Sequence, residues 1–200
     1  MSPSEGFAKT GYVVIRAAIP DDQRHFLFDY VLNVFGRAVS PQGDYQVPGT
    51  PFAYGDFAAE GLLNSVQATI ENHVGLALFP TYSYLRLYKY GDCLKRHMDR
   101  HACEISASLC LGYTPDQPWP IWVEHSGDTV PITLLPGDML IYRGIDVPHW
   151  REMYTGERLA QVFLHYVDQN GPHREWKFDK RPGLRKPRQE RAALDQISGG

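Results

Sequence analysis

Apolar residues recur with helical spacing in the first third of the chain and alternate in the rest. Gly11-Tyr12-Val13-Val14-Ile15-Arg16 is a β-branched run that reads as a short strand. Pro20-Asp21-Asp22 then opens a helix, because proline and acidic side chains suit a first turn whose N–H groups are unpaired. Phe26, Leu27, Tyr30, Val31 and Val34 supply its apolar face. Positions 40–56, rich in Pro, Gly and Asp, read as a loop, and a second helix is expected from Glu60 to His73 with Leu62, Leu63, Val66, Ile70 and Val74 on one side. From Thr81 the period becomes two. Tyr82, Tyr84, Arg86, Tyr88 and Tyr90 share one face of a strand, with Leu85 and Leu87 on the other. Cys103 to Leu111 alternates again, and shorter runs follow at 121–123, 130–134, 139–142 and 159–167, separated by Pro/Gly/Asp turns.

Many short strands after two helices predict an α+β, mainly β domain built on a sandwich or barrel. Two hundred residues suit one such domain. The net charge of −3 argues against a dedicated nucleic-acid binder, and no apolar run is long enough to span a bilayer. The first residues lack a basic and apolar leader pattern, and three cysteines without CxxC spacing indicate neither a disulfide framework nor a zinc ribbon. A reduced, cytoplasmic setting is the expectation. Between Arg174 and Arg191 eight Lys/Arg face three acidic residues, so residues 171–200 read as a basic extension of a domain spanning 1–170. Solvated packing around Trp176 and Phe178 is the plainer account of that extension, and contact with nucleic acid or an acidic partner the other.

The chemistry-bearing segment is His97-Met98-Asp99. Two residues apart in extended chain, their side chains leave on one face, about 7 Å between Cα atoms, close enough to converge on one ion. Such a pair is common, and a surface histidine accounts for His97 equally well on this segment alone. His97 and His101 have helical metal-site spacing, but no Glu follows His97 and the residues from Cys103 onward have strand period. A third donor is required, and two histidines plus one carboxylate form the facial arrangement of non-haem iron(II) sites.

A second segment supplies the rest: Pro136-Gly137-Asp138 leading into a strand, then Val147-Pro148-His149-Trp150, then Gly156-Glu157-Arg158. Together with Tyr88-Lys89-Tyr90-Gly91 ahead of His97-Met98-Asp99, these features in this order resemble the iron(II)/2-oxoglutarate-dependent dioxygenases, in particular their prolyl 4-hydroxylase-like branch. The resemblance covers residues 11 to about 167. It implies a double-stranded β-helix (jelly-roll, cupin-like) barrel, with His97, Asp99 and His149 holding Fe(II), and 2-oxoglutarate and O₂ as cosubstrates. It further implies that Arg158 pairs with the distal carboxylate of 2-oxoglutarate, assisted by the Tyr88 hydroxyl. 2-Oxoglutarate would be decarboxylated to succinate and CO₂ while an unactivated C–H bond is hydroxylated. Asp99 matters here, because halogenating relatives carry a small residue in its place.

Arg158 shares its parity with Ala160, Val162 and Leu164, and the expectation is that this face looks into the barrel. His165, of opposite parity, is then expected to face away, and His25, His73, His125 and His173 lie outside the motifs. The substrate is expected to be a small acid, an amino acid or a peptidyl residue. Arg86 is a candidate for its carboxylate, with Tyr84 and Trp150 as walls, and the loops at 40–56 and 113–120 would close over the barrel mouth. Two other classes fit the same residues: a non-catalytic β-helix binding protein, and a metal hydrolase using the His/Asp/His site.

Overall fold

The computed structural model describes residues 2–36, 43–114 and 116–184. Helix α1 (Pro3–Thr10) precedes the expected strand. Ser2 caps it by accepting from the Glu5 N–H, Glu5 reaches back to the Ser2 N–H, and Gly11 ends it at φ +75°. Strand β1 (Tyr12–Ile15) and helix α2 (Asp21–Phe35) follow as expected. The loop at 40–56 contains a short strand, β2 (Phe52–Tyr54), and the single helix expected at 60–73 is two, α3 (Phe57–Ser65) and α4 (Gln67–Val74), broken at Val66.

The β part comprises β3 (Leu78–Lys89), β4 (Leu94–His97), β5 (Ile105–Thr114), β6 (Ile121–His125), β7 (Asp128–Ile132), β8 (Met139–Arg143), β9 (His149–Arg151) and β10 (Arg158–Asp168). They form two antiparallel sheets, a six-stranded one in the order β1-β8-β5-β10-β3-β2 and a four-stranded one in the order β4-β9-β6-β7. Non-consecutive neighbours and two facing sheets make this a double-stranded β-helix, a mainly β fold carrying helices on one side.

The six-stranded sheet is buried on both faces, and the two faces differ in chemistry. Leu85, Leu87, Ala107, Leu109, Leu111, Ala160, Val162 and Leu164 pack against Leu27, Val31, Leu62, Leu63 and Ile70 of the helices in one apolar core. The opposite face, toward the four-stranded sheet, presents Tyr84, Arg86, Ser106, Ser108, Gln161 and His165. The apolar stripe of β10 therefore belongs to the helix side, and the barrel interior is the polar side. This reverses the expected orientation of β10. Arg158 lies on the helix side, exposed, with its guanidinium beside Gly36 at the C-terminal end of α2, where a cation suits the helix dipole.

The chain also keeps packing past residue 170. A 3₁₀ segment, Arg174–Lys180, docks on β3, with Asp179 buried and accepting from both Arg100 guanidinium nitrogens at 2.7 and 2.9 Å and from Tyr54 at 2.5 Å. Arg181, buried beside it, pairs with buried Glu60 of α3. The part of the basic extension beyond 184 lies outside the described residues. No described helix is long and apolar enough to cross a membrane.

Candidate functional site

Strands β4 and β9 pair so that His97 stands opposite His149. Their rings lie 4.3 Å apart between centroids, and the Nε2 atom of each is 3.7 Å from Asp99 Oδ1. One ligand atom from each residue falls within a 4.8 Å cluster. Both imidazoles are held through Nδ1: His97 Nδ1–H donates to the Lys95 carbonyl at 2.8 Å and His149 Nδ1–H to the Val147 carbonyl at 2.9 Å. That fixes the tautomer that turns each Nε2 lone pair toward Asp99. Burial holds His149 down to about 4, and burial together with neighbouring His149 lowers His97, so both rings are neutral donors near pH 7.

Asp99 sits just past the end of β4, where its own N–H donates to the Gly144 carbonyl at 2.8 Å. Gly144 is required there, since a Cβ on it would stand 2.5 Å from Asp99 Oδ2 and 2.3 Å from the Cys103 carbonyl oxygen. Oδ2 accepts from the Ser106 hydroxyl at 2.9 Å, and Ser106 Oγ accepts from His165 Nδ1–H at 3.0 Å. Burial keeps His165 neutral, at about 3, and raises Asp99 to about 6. A carboxylate so desolvated, facing two neutral imidazole lone pairs, is a donor set short of positive charge. It fits a divalent ion of borderline softness, with Oδ1 and the two Nε2 atoms as ligands.

The three residues sit in the wall of a cavity of about 140 Å³ between the sheets. Tyr84, Arg86 and Tyr88 line it, as does Phe163 of β10, and Tyr45 and Gln46 of the loop before β2 border it. Arg86 is 2 % exposed and donates to Asp44, which also accepts from the Tyr84 hydroxyl; its Nε and Nη1 have no partner. Tyr88 is fully buried against Trp119 from the 116–120 segment, in a T-shaped contact at 5.0 Å.

Other expected site residues fall elsewhere. Trp150 points away from the cavity, because it follows His149 on a strand; it stacks on Trp122 at 6.0 Å on the outer face of the four-stranded sheet. Arg158 is outside, as described above, while His165, expected to face away, borders the cavity. Three residues absent from the sequence reading matter here. Ser106 and Gly144 orient Asp99, and Arg151, two residues past His149, is buried on the barrel side. For Arg151 the signal was present in the chain, since i and i+2 of a strand share a face.

No protein-family model matches the chain, and no curated protein does. Solved structures with the same fold do. A Pseudomonas putida prolyl-4-hydroxylase aligns at TM-score 0.64 and 19 % identity over 81 % of this chain and 95 % of that one. The epimerase SnoN in complex with Fe3+, alpha ketoglutarate and nogalamycin RO aligns at 0.72 and 13 % over 94 % and 91 %. EctD from S. alaskensis with bound Fe aligns at 0.64 and 16 % over 93 % and 88 %. The fold is thus the double-stranded β-helix of the 2-oxoglutarate/Fe(II) oxygenases, and on it a His/Asp/His cluster lies in the barrel wall.

Proposed function

We propose that this chain is an Fe(II)- and 2-oxoglutarate-dependent oxygenase that hydroxylates an unactivated C–H bond of a small acid, an amino acid or a peptidyl residue, with release of succinate and CO₂. The observation that carries the reading is the convergence of His97 Nε2, His149 Nε2 and Asp99 Oδ1 at one point in the wall of a cavity between the sheets. Iron and 2-oxoglutarate, bound there with O₂, supply the oxidising power for the C–H bond.

The chain's own contribution is positional. His97 and His149 present neutral nitrogen donors through fixed tautomers, and Asp99 is held by Ser106 and the Gly144 carbonyl so that Oδ1 alone faces the imidazoles. A metal held by these three donors would take its remaining ligands from molecules that enter the cavity. Tyr82, Tyr84, Phe163 and Tyr142 wall it and keep bulk water from the reacting centre. Arg86, two residues past Tyr84 on β3, offers its unpartnered Nε and Nη1 to a polar substrate oxygen, while Asp44 and Tyr84 hold it at Nη2.

The test is succinate formation. With Fe(II), 2-oxoglutarate and O₂ the chain is expected to convert 2-oxoglutarate slowly without added substrate, and His97→Ala and His149→Ala are expected to fall to background. Turnover of an ester or amide by the metal-loaded protein without O₂ and 2-oxoglutarate would instead establish a hydrolase. Unaltered metal binding in both variants would leave only a binding role.

A further inference from the structure

The barrel interior contains a cation without a counter-charge. Arg151 is 2 % exposed, and among the described residues no carboxylate lies within salt-bridge distance of it. It donates through Nη1 to the Trp119 carbonyl, lays its guanidinium on the Trp119 ring at 4.8 Å, and leaves Nε with no partner at all. Burying a guanidinium in that state is strongly unfavourable unless an anion joins it. Arg86 differs, because Asp44 already neutralises it.

The placement of Arg151 says which anion. On β9 it shares a face with His149 and lies two residues further along, roughly 6–7 Å along the strand. Leu94 stands opposite it on β4, and Leu94, Tyr88 and Ile121 line the same cavity as His149. Resting on the oxygenase reading above, we propose that Arg151, and not Arg158, receives the distal carboxylate of the 2-oxo diacid, with the other end of the diacid at the His97/Asp99/His149 centre. Charge then closes throughout the interior. The metal's two positive charges meet Asp99 and the near carboxylate, and Arg151 meets the far one. Because one strand carries both His149 and Arg151, their separation is fixed, and it acts as a gauge of diacid length.

Binding, read by calorimetry on the protein loaded anaerobically with Fe(II) or with Mn(II), tests this without turnover. Arg151→Met is expected to weaken 2-oxoglutarate about 10- to 100-fold, the loss of a charge-assisted pair. It is also expected to bind a 2-oxo monoacid with an uncharged tail, such as 2-oxopentanoate, at least as well as the parent. Arg151→Lys, which keeps the charge without the planar fork, is expected to fall between the two, and wild type should prefer the five-carbon diacid over its four- and six-carbon homologues. A readout independent of the metal is thermal unfolding of the metal-free protein. Arg151→Met should melt higher than wild type, since the unpaired charge is gone, and should no longer be stabilised by 2-oxoglutarate. Undiminished 2-oxoglutarate binding in Arg151→Met, or its loss in Arg86→Met alone, overturns the assignment while leaving the oxygenase reading in place. Absence of 2-oxoglutarate binding by the metal-loaded wild type overturns both.

Discussion

Asp99 shows how individual contacts set the chemistry. In the metal-free protein its carboxyl titrates at about 6, against an ordinary value of 3.8, because it is buried. Between about pH 4 and pH 6 the folded chain therefore holds a proton that the unfolded chain has released. Stability of the metal-free fold from this group falls as pH rises through that window, and the loss is complete above it. Asp99→Asn removes the cost, so at neutral pH its metal-free form is expected to be more stable than wild type by about 1–3 kcal/mol in denaturant titrations. The same proton competes with the metal: affinity for Mn(II), followed by calorimetry, is expected to drop as pH is lowered through about 6. Affinity independent of pH there would contradict Asp99 as a ligand. Gly144→Ala tests the positioning of that carboxylate from the other side, since its Cβ would press on Asp99 Oδ2 at 2.5 Å. Metal affinity about 10- to 100-fold weaker is expected, the range for groups that orient ligands. His97, Asp99 and His149 were legible in the sequence because motif order singles them out among eight histidines. Gly144 and Ser106 were not, because a close approach across strands leaves no local pattern.

Among the elements, the six-stranded sheet shows why alternation alone does not orient β10. Parity along a strand separates two faces but does not say which faces the helices. Here both faces are buried, and the more apolar one, Ala160-x-Val162-x-Leu164, goes to the helices because their own faces are apolar. Polar side chains remain inside the barrel because they have work or partners there, Gln161 donating to Ser108 at 2.8 Å and His165 to Ser106. Strands β4 and β9, with four and three residues, are too short for alternation to reveal, yet they carry the two histidines. The Pro136-Gly137-Asp138 turn, in contrast, was legible, and the structure shows its use. Buried Asp138 accepts from the Leu135 N–H at 2.9 Å, the Ala17 N–H at 3.1 Å and Arg16, tying the start of β8 to the end of β1. Asp138→Ala strands two backbone donors and is expected to cost about 2–4 kcal/mol in chemical denaturation, with metal affinity little changed. A loss under 1 kcal/mol would show that the tie contributes little.

Over the whole molecule, the start of the basic extension shows what charge alone leaves out. The basic run beginning at Arg174 suggested a solvated extension, but Asp179 and Arg181 are buried and answer Arg100, Tyr54 and Glu60 within the body. Arg100 directly follows Asp99, so this docking braces the chain beside the proposed metal site from outside. Deleting residues 174–200 leaves Glu60 without Arg181 and Arg100 without Asp179, and is expected to destabilise the fold by about 3–5 kcal/mol, read as a lower denaturant midpoint. A truncated chain that unfolds like the full one would show that the docking is idle. The two-sheet architecture was legible from strand count and turns, since antiparallel strands of this length have few other ways to bury two faces. Which strands neighbour one another was not, because long-range pairing follows from the whole set of buried faces at once.

In the proposed function, one point in the barrel wall binds both Fe(II) and a 2-oxo acid. Anaerobic addition of Fe(II) and 2-oxoglutarate to the purified chain, followed by visible absorption, tests it most directly. A weak charge-transfer band is expected that requires both additives and is absent from Asp99→Ala and His149→Ala. A wild-type protein that stays colourless with both present would contradict it.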